Sequence, residues 1–132
     1  MRDMKKIKGT SISSNEVAQV GFEVVNHCLI INLGEDLDHH NAIHIRGQAD
    51  KIIMNRNIKD IIFDFSRTNF MDSSGIGVIM GRYKKVTYIG GNVFVTGISD
   101  NVDRIFKLSG LYKVLHKYDT IQDALDVVKK QK

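Results

Sequence analysis

The apolar residues of the chain recur at two different spacings, and the spacing changes along the sequence. Every second residue from Val20 to Val24 is apolar, which is typical of a half-buried strand. The run from Cys28 to Leu33 predicts a second, more buried strand that pairs with the first as a hairpin. Further β-rich runs predict a central strand at 61–65, another at 93–95 and an edge strand at 114–115.

Between these strands, apolar residues recur at steps of three and four, which is the spacing of an amphipathic helix. Four helices are predicted in this way. Their expected N-caps or first residues are Asp38, Ser74, Ser99 and Thr120, and Gly110 is expected to end the third helix in a left-handed conformation. The alternation of strands and helices indicates an α/β domain with a mixed, partly parallel sheet of four to five strands.

The chain has 132 residues, which is the size of one compact domain. Residues 1–16 contain few large apolar groups and are predicted to form a flexible N-terminal arm, so that the folded domain spans residues 17–132. We find no signal-peptide pattern and no apolar run of the roughly 18 residues that span a membrane, so we expect a cytoplasmic protein without a membrane partner. The single cysteine, Cys28, excludes an internal disulfide and is expected to be buried.

The net charge of +4 does not gather in one part of the sequence. Lysines cluster near the start, at 84–85 and in the last four residues. A nucleic-acid-binding protein more usually concentrates basic residues on one face, with aromatic residues between them. We therefore interpret these lysines as solvated surface and predict no nucleic-acid partner.

The segment 70–77 carries the most chemistry in the chain. Asp72, Ser73 and Ser74 stand where a predicted loop gives way to a helix, and Gly75 and Gly77 remove side chains from the first helical turns. Free backbone N–H groups and the helix macrodipole stabilise an anion such as a phosphate at such a start. Because Asp and Ser are also common N-caps, the pattern alone leaves a plain cap and a functional turn about equally favoured.

The longer run 70–84 resembles the signature of the bacterial anti-sigma-factor antagonists, which are members of the STAS domain family. The segment Leu37–His40, the pair Gly90–Gly91 and the turn Leu108–Leu111 match the same family, and the similarity extends over roughly residues 18–128. Within the family, the run is most similar to the antagonists of the sporulation anti-sigma-F factor. The resemblance implies a single STAS-type α/β domain with about four helices.

In this family the serine that directly follows the aspartate is phosphorylated, and this serine is Ser73 here. The resemblance therefore implies partner switching, in which the unphosphorylated protein binds an anti-sigma factor and frees a sigma factor. The anti-sigma factor has serine kinase activity, and its phosphorylation of Ser73 ends binding until a metal-dependent serine phosphatase restores it. The protein itself would not be an enzyme and would need no cofactor, since ATP and metal ions act in its partners.

Seven further residues are expected at the partner-binding surface. They are Asp38, His39, Asp72, Ser74, Gly75, Gly77 and Arg82. Arg82 is included because the outward face of the second helix is expected to adjoin the switch. The family usually runs Gly-Glu-Leu-Asp before the first helix, whereas residues 34–38 carry one more acidic residue, which leaves the position of Asp38 beside Ser73 open.

Other functions fit the residues less well, the nearest being a scaffold or regulator in a different serine-kinase pathway. A hydrolase elbow needs Gly-x-Ser-x-Gly, but Met71 occupies the place of the first glycine. A receiver domain would use Asp64 as its phosphoacceptor, but the sequence lacks the acidic cluster that holds Mg²⁺. His40 and His44 lie one helical turn apart, yet a metal site is disfavoured because no further histidine completes a ligand set.

Overall fold

The structure is a computed structural model that describes residues 20–131 together with the backbone of Lys5 and Lys6. The rest of the predicted arm, residues 1–16, lies outside the described residues. In chain order the elements are β1 (Lys5–Lys6), β2 (Gly21–Val25), β3 (Cys28–Asn32), β4 (Asp36–Leu37), α1 (His39–Asn55), β5 (Asp60–Asp64), β6 (Phe70–Met71), α2 (Ser73–Thr87), β7 (Val93–Thr96), α3 (Asp100–Ser109), β8 (His116–Tyr118) and α4 (Ile121–Lys130).

The main sheet has the strand order β1-β2-β3-β5-β7-β8. The pairs β1/β2 and β2/β3 are antiparallel, whereas β3/β5, β5/β7 and β7/β8 are parallel. Helices connect the parallel strands, as chain geometry requires for a crossover. The predicted α/β domain with four helices and a mixed, partly parallel sheet is confirmed, and its five main strands are extended by the two-residue β1 at one edge.

Helices cover the sheet on both faces. The larger core lies between one face and the helices α1, α2 and α3, and α4 covers the other face. Every residue of β5 is buried, which is typical of a central strand in a parallel sheet. Cys28 belongs to the core under α4, in agreement with the expectation that it is a buried apolar residue.

Most of the predicted element boundaries are confirmed. Asp38, Ser99 and Thr120 are N-caps whose side chains accept a backbone N–H, and Gly110 ends α3 in the left-handed region with φ 76°. Asn26, in the turn of the predicted hairpin, also has a positive φ of 55°, a conformation that asparagine tolerates.

Two predicted boundaries are wrong. The edge strand is His116–Tyr118 rather than 114–115. A 3-10 turn at Leu111–Lys113 occupies the chain before it, and Leu115 packs in the core instead of pairing. Helix α2 begins at Ser73 with Asp72 as its N-cap, one residue earlier than expected. As a result, Ser73 is a helical residue and not part of the preceding loop.

Candidate functional site

A second sheet, made of β4 and β6 only, organises the segment that contains Ser73. The two strands are parallel, and Leu37 pairs with Met71. The residue after each strand is an aspartate that N-caps a helix, Asp38 for α1 and Asp72 for α2. Because the strands are parallel and in register, the N-termini of α1 and α2 lie side by side.

Each aspartate uses its side chain as a helix cap. Asp38 Oδ1 accepts a hydrogen bond of 3.0 Å from the backbone N–H of Asn41, and Asp72 Oδ1 accepts one of 2.8 Å from that of Ser74. Such caps satisfy backbone donors that have no partner inside the helix. The macrodipoles of both helices also stabilise the two carboxylates at their positive ends.

The two adjacent serines have different environments. Ser73 is exposed, and within residues 20–131 its hydroxyl makes no hydrogen bond. Ser74 is half-buried, and its Oγ lies 3.4 Å from His39 Nδ1 on α1. Of the two hydroxyl groups, that of Ser73 is therefore the more accessible.

The additional acidic residue in 34–38 does not displace Asp38 from the site. Glu35 and Asp36 are exposed, and the backbone C=O of Glu35 accepts hydrogen bonds from the N–H groups of Asn69 and Phe70. The backbone N–H of Asp72 donates to the C=O of Leu37 at 3.3 Å. Since Asp36 and Leu37 pair with Phe70 and Met71, Asp38 lies level with Asp72.

The two glycines of the first helical turns have different roles. Gly75 is buried, and a Cβ at this position would lie 2.6 Å from Met71 Cγ and 2.8 Å from Leu37 Cγ. Gly75 therefore allows the first turn of α2 to pack closely against the small sheet. Gly77 is exposed, and a Cβ there would meet no atom of the described chain within 4 Å.

The outward position expected for Arg82 is wrong. Its side chain is only 5% exposed, and its Nε lies 3.0 Å from Asp50 Oδ1 on α1, an ion pair without the alignment of a hydrogen bond. Burial lowers the pKa of Arg82, while the charge of Asp50 opposes this shift. Helical spacing indicated a polar outer face, but Arg82 lies between α1 and α2 and links them.

The local charge at this end of the molecule is negative. Glu35, Asp36, Asp38 and Asp72 are exposed or half-buried there. Within the described ranges, no group of three or more His, Cys, Asp or Glu side chains is arranged to hold a metal ion. The arrangement offers an exposed hydroxyl at the start of α2, next in sequence to the capping carboxylate of Asp72.

Asp64, the residue that a receiver domain would phosphorylate, is not available as a free carboxylate. It is 8% exposed, its Oδ1 accepts a hydrogen bond of 2.7 Å from Thr96 Oγ1, and its Oδ2 accepts one of 2.6 Å from Ser66 Oγ. Oδ1 thus joins β5 to the neighbouring strand β7, and Oδ2 holds the loop that follows β5. This geometry disfavours the receiver alternative.

Sequence reasoning missed two features of the site. Phe70 is 50% exposed beside the N-cap Asp72, and the contact of His39 with Ser74 joins the two helix starts. The polar-then-apolar pair Asp36–Leu37 is the available sequence signal for β4, whereas Phe70 and Met71 are both apolar, and two residues are too few for a periodic pattern. Across the helices that the structure describes, none is long and apolar enough to cross a membrane.

Comparisons with known proteins agree with this geometry. The STAS domain profile matches residues 19–124. A protein of Paenibacillus polymyxa named anti-sigma F factor antagonist is 38% identical over 107 residues, which cover 81% of this chain and 92% of that protein.

Solved structures of anti-sigma factor antagonists share the fold of this chain. The unphosphorylated anti-sigma factor antagonist SpoIIAA superposes with a TM-score of 0.70 at 28% identity, over 83% of this chain and 97% of that one. The phosphorylated form of SpoIIAA, a Bacillus cell fate determinant, gives a TM-score of 0.68 at 31% identity, over 83% of this chain and 98% of that one. The family profile, the sequence relative and the shared fold together show that this chain belongs to the STAS domain family.

Proposed function

We propose that this protein is an anti-sigma factor antagonist controlled by phosphorylation of Ser73. In its unphosphorylated form it binds an anti-sigma factor with serine kinase activity and thereby frees a sigma factor. The observation that carries the proposal is the exposed hydroxyl of Ser73 at the first residue of α2, while the hydroxyl of neighbouring Ser74 contacts His39.

The names of the relatives support the same function. The Paenibacillus polymyxa protein is named for antagonism of an anti-sigma F factor, and SpoIIAA has been solved in both unphosphorylated and phosphorylated forms. Ser73 is the serine that follows the aspartate in the family signature. We therefore assign to this chain the same pair of states, with the sporulation sigma factor as the expected beneficiary.

The physical basis of the switch is electrostatic. A phosphate on Ser73 adds about −1.5 to −2 charges at neutral pH. The helix N-terminus stabilises part of this charge, so the domain is expected to remain folded. Asp38 and Asp72 already make the surface negative. The added phosphate repels an acidic partner surface, and it cannot be desolvated without cost against an apolar one. Binding is lost while the fold is retained.

The partner contacts follow from exposure. We assign direct contacts to His39 and Gly77, which are exposed, and to Asp38, which is half-buried; all three lie in the first turns of α1 and α2 or at their caps. Gly75 and Arg82 act indirectly, because the first packs under α2 and the second holds α2 against α1. In this cycle the protein itself performs no catalysis. All steps of the cycle take place in the cytoplasm. The kinase supplies ATP and Mg²⁺, and a metal-dependent phosphatase removes the phosphate.

The test is phosphorylation in vitro followed by intact mass and peptide mapping. The protein is incubated with ATP alone and with ATP plus the cognate anti-sigma factor. We expect one added phosphate only in the presence of the kinase, located on Ser73, and none in the Ser73→Ala variant. The Ser74→Ala variant is the matched control and should still be labelled. Labelling that persists in Ser73→Ala, or an acid-labile phosphate on Asp64, would contradict the proposal.

A further inference from the structure

The end of the molecule opposite Ser73 is where α1 and α2 both finish. The helices start side by side at His39 and Ser74, which lie in contact, and they meet again at Asp50 and Arg82. They therefore run in the same direction. Since α2 has 15 residues, its two ends are separated by ~22 Å.

The segments that follow the two helices are joined to each other and to the end of α4. A Cβ at Gly91 would collide with the carbonyl oxygen of Lys59, so the two backbones touch. The backbone N–H of Asn92 donates to Asp60 Oδ1 at 2.8 Å, and Asn92 Nδ2 donates to Gln131 Oε1 at 3.3 Å. Three helix C-termini thus lie at one end of the domain.

Three large apolar side chains are exposed at this end. Met54 in the last turn of α1 is 80% exposed, Tyr88 at the C-cap of α2 is 91% exposed, and Ile89 beside it is 54% exposed. We call these residues the apolar triad. They make up three of the six large hydrophobic residues that are exposed within the described part of the chain.

Basic residues lie at the same end of the domain as the apolar triad. We call this group the basic pole, and all its members are exposed: Lys51, Arg56, Lys59, Lys84, Lys85, Lys129 and Lys130. Two nearby acidic residues already have partners. Asp50 forms an ion pair with Arg82, and Asp60 is buried and accepts a hydrogen bond from the backbone N–H of Asn92. Asp126, one turn before Lys130, is exposed and accepts a hydrogen bond from Gln122.

These basic residues come from distant segments of the sequence, and for that reason the sequence alone predicts that they are solvated surface. The fold gathers them at one end. Basic residues at helix C-termini are favoured by the macrodipole, and this explains part of the pattern. The macrodipole does not explain why Met54, Tyr88 and Ile89 are exposed among them. The exposure of three large apolar side chains among these basic residues requires a separate explanation.

We propose that the basic pole and the apolar triad dock this protein on an anionic phospholipid surface. Lysine and arginine close to an anionic bilayer bind it electrostatically, and an amphipathic ring such as that of tyrosine favours the headgroup region. Tyr88 is 91% exposed, so its ring can enter the headgroup region without displacing other side chains. Charge complementarity and the exposure of the apolar triad together favour lipid.

The proposed orientation leaves the switch accessible. Ser73 lies at the other end of α2 from Tyr88, so a membrane-docked molecule would present Ser73 and its acidic surroundings to partners in solution. Docking does not require phosphorylation or an anti-sigma factor. Its failure in the experiment below would therefore leave the proposed function untouched.

The experiment measures sedimentation of the full chain with vesicles. Phosphatidylcholine vesicles are compared with vesicles that also contain phosphatidylglycerol, at low and high salt. We expect binding only to the anionic vesicles, and we expect salt to weaken it because ions screen the charges. Equal binding to both vesicle types, or no binding to either, would overturn the proposal. Preferential binding to poly-glutamate over anionic vesicles would also overturn it and indicate an acidic protein partner.

Variants with matched controls locate the contact. Tyr88→Ser and Lys84→Glu should each weaken vesicle binding about tenfold. The controls are Leu108→Ser and Arg104→Glu, which introduce the same two residues, serine and glutamate, at exposed positions of α3 and should bind as the parent protein does. If the controls lose as much binding as the test variants, the effect reflects net charge or surface polarity in general and the proposal fails.

A fluorescence readout is independent of sedimentation. The chain contains no tryptophan, so Tyr88→Trp introduces a single reporter. Its emission should shift to shorter wavelength with anionic vesicles, because the indole leaves water. The Leu108→Trp variant is the matched control and should not shift. A shift in both variants, or in neither, would contradict insertion at the apolar triad.

Discussion

Leu37 pairs with Met71 in a parallel ladder of two residues, and this pairing sets Asp38 beside Asp72. The consequence reaches well beyond the ladder, because each aspartate caps the helix that follows it. Two positive helix ends and two carboxylates therefore share a small area around the exposed hydroxyl of Ser73. A phosphate added there therefore enters a surface that is already acidic.

Replacement of Ser73 tests the switch directly. Ser73→Ala should keep the fold and should stay bound to the anti-sigma factor when ATP is present, because no phosphate can be added. Ser73→Asp should weaken binding at least tenfold, which corresponds to about 1.4 kcal/mol. Isothermal titration calorimetry measures both affinities. Release of Ser73→Ala by ATP, or an unchanged affinity of Ser73→Asp, would contradict the electrostatic account.

Gly75 and Gly77 form a matched pair on α2. Gly75→Ala should destabilise the protein by about 1–3 kcal/mol, because the new Cβ would press against Met71 and Leu37. Gly77→Ala should be neutral or stabilising by about 0.5–1 kcal/mol, since the position is open and alanine favours a helix. Urea denaturation measures both changes. Equal effects of the two substitutions would show that Gly75 does not set the approach of α2 to the small sheet.

The caps of the helices and most strands could be predicted from sequence because each depends on neighbouring residues. Asp38, Ser99 and Thr120 cap the predicted helices. The edge strand was misplaced because Val114 and Leu115 are apolar, whereas the actual strand begins at a histidine and is mostly exposed. A buried leucine in a loop and a leucine in a short strand have the same local pattern.

The parts of the site that could not be predicted depend on contacts between distant segments. The ladder between β4 and β6 is too short to leave a periodic signal. Helical spacing gives the direction of Arg82 only approximately, and it cannot show that Asp50 lies opposite to neutralise a buried guanidinium. The basic pole also escaped notice, because its members come from α1, α2, α4 and the loop before β5.

The ion pair between Arg82 and Asp50 is asymmetric in its burial, and the two partners should respond differently to substitution. The Arg82 side chain is 5% exposed, whereas that of Asp50 is 29% exposed. Asp50→Ala leaves a buried positive charge without a counter-ion and should cost about 3 kcal/mol. Arg82→Met leaves a carboxylate that water can reach, so it should cost less. Urea denaturation of both single variants and the double variant measures the coupling, and a larger loss for Arg82→Met would contradict this account.

Asp103 on α3 makes the stability of the protein depend on pH in the acidic range. Two hydrogen bonds, the larger contribution from Tyr112 and the smaller from Lys107, lower the pKa of Asp103 from 3.8 to about 2. Since the pKa is lower in the folded state, the contribution is fully present above pH 3.8 and is lost as the pH falls through the interval down to about 2.

Asp103→Asn should therefore lower the melting temperature at neutral pH and flatten its dependence on pH between about 4 and 2, because the variant has no proton to gain there. Asp100→Asn is the matched control, since Asp100 lies exposed on the same helix and forms no ion pair with a basic side chain of residues 20–131. Thermal unfolding followed by circular dichroism across this pH range measures both variants. If Asp103→Asn keeps the parent's slope in this interval, the hydrogen bond from Tyr112 does not hold the carboxylate in its charged form.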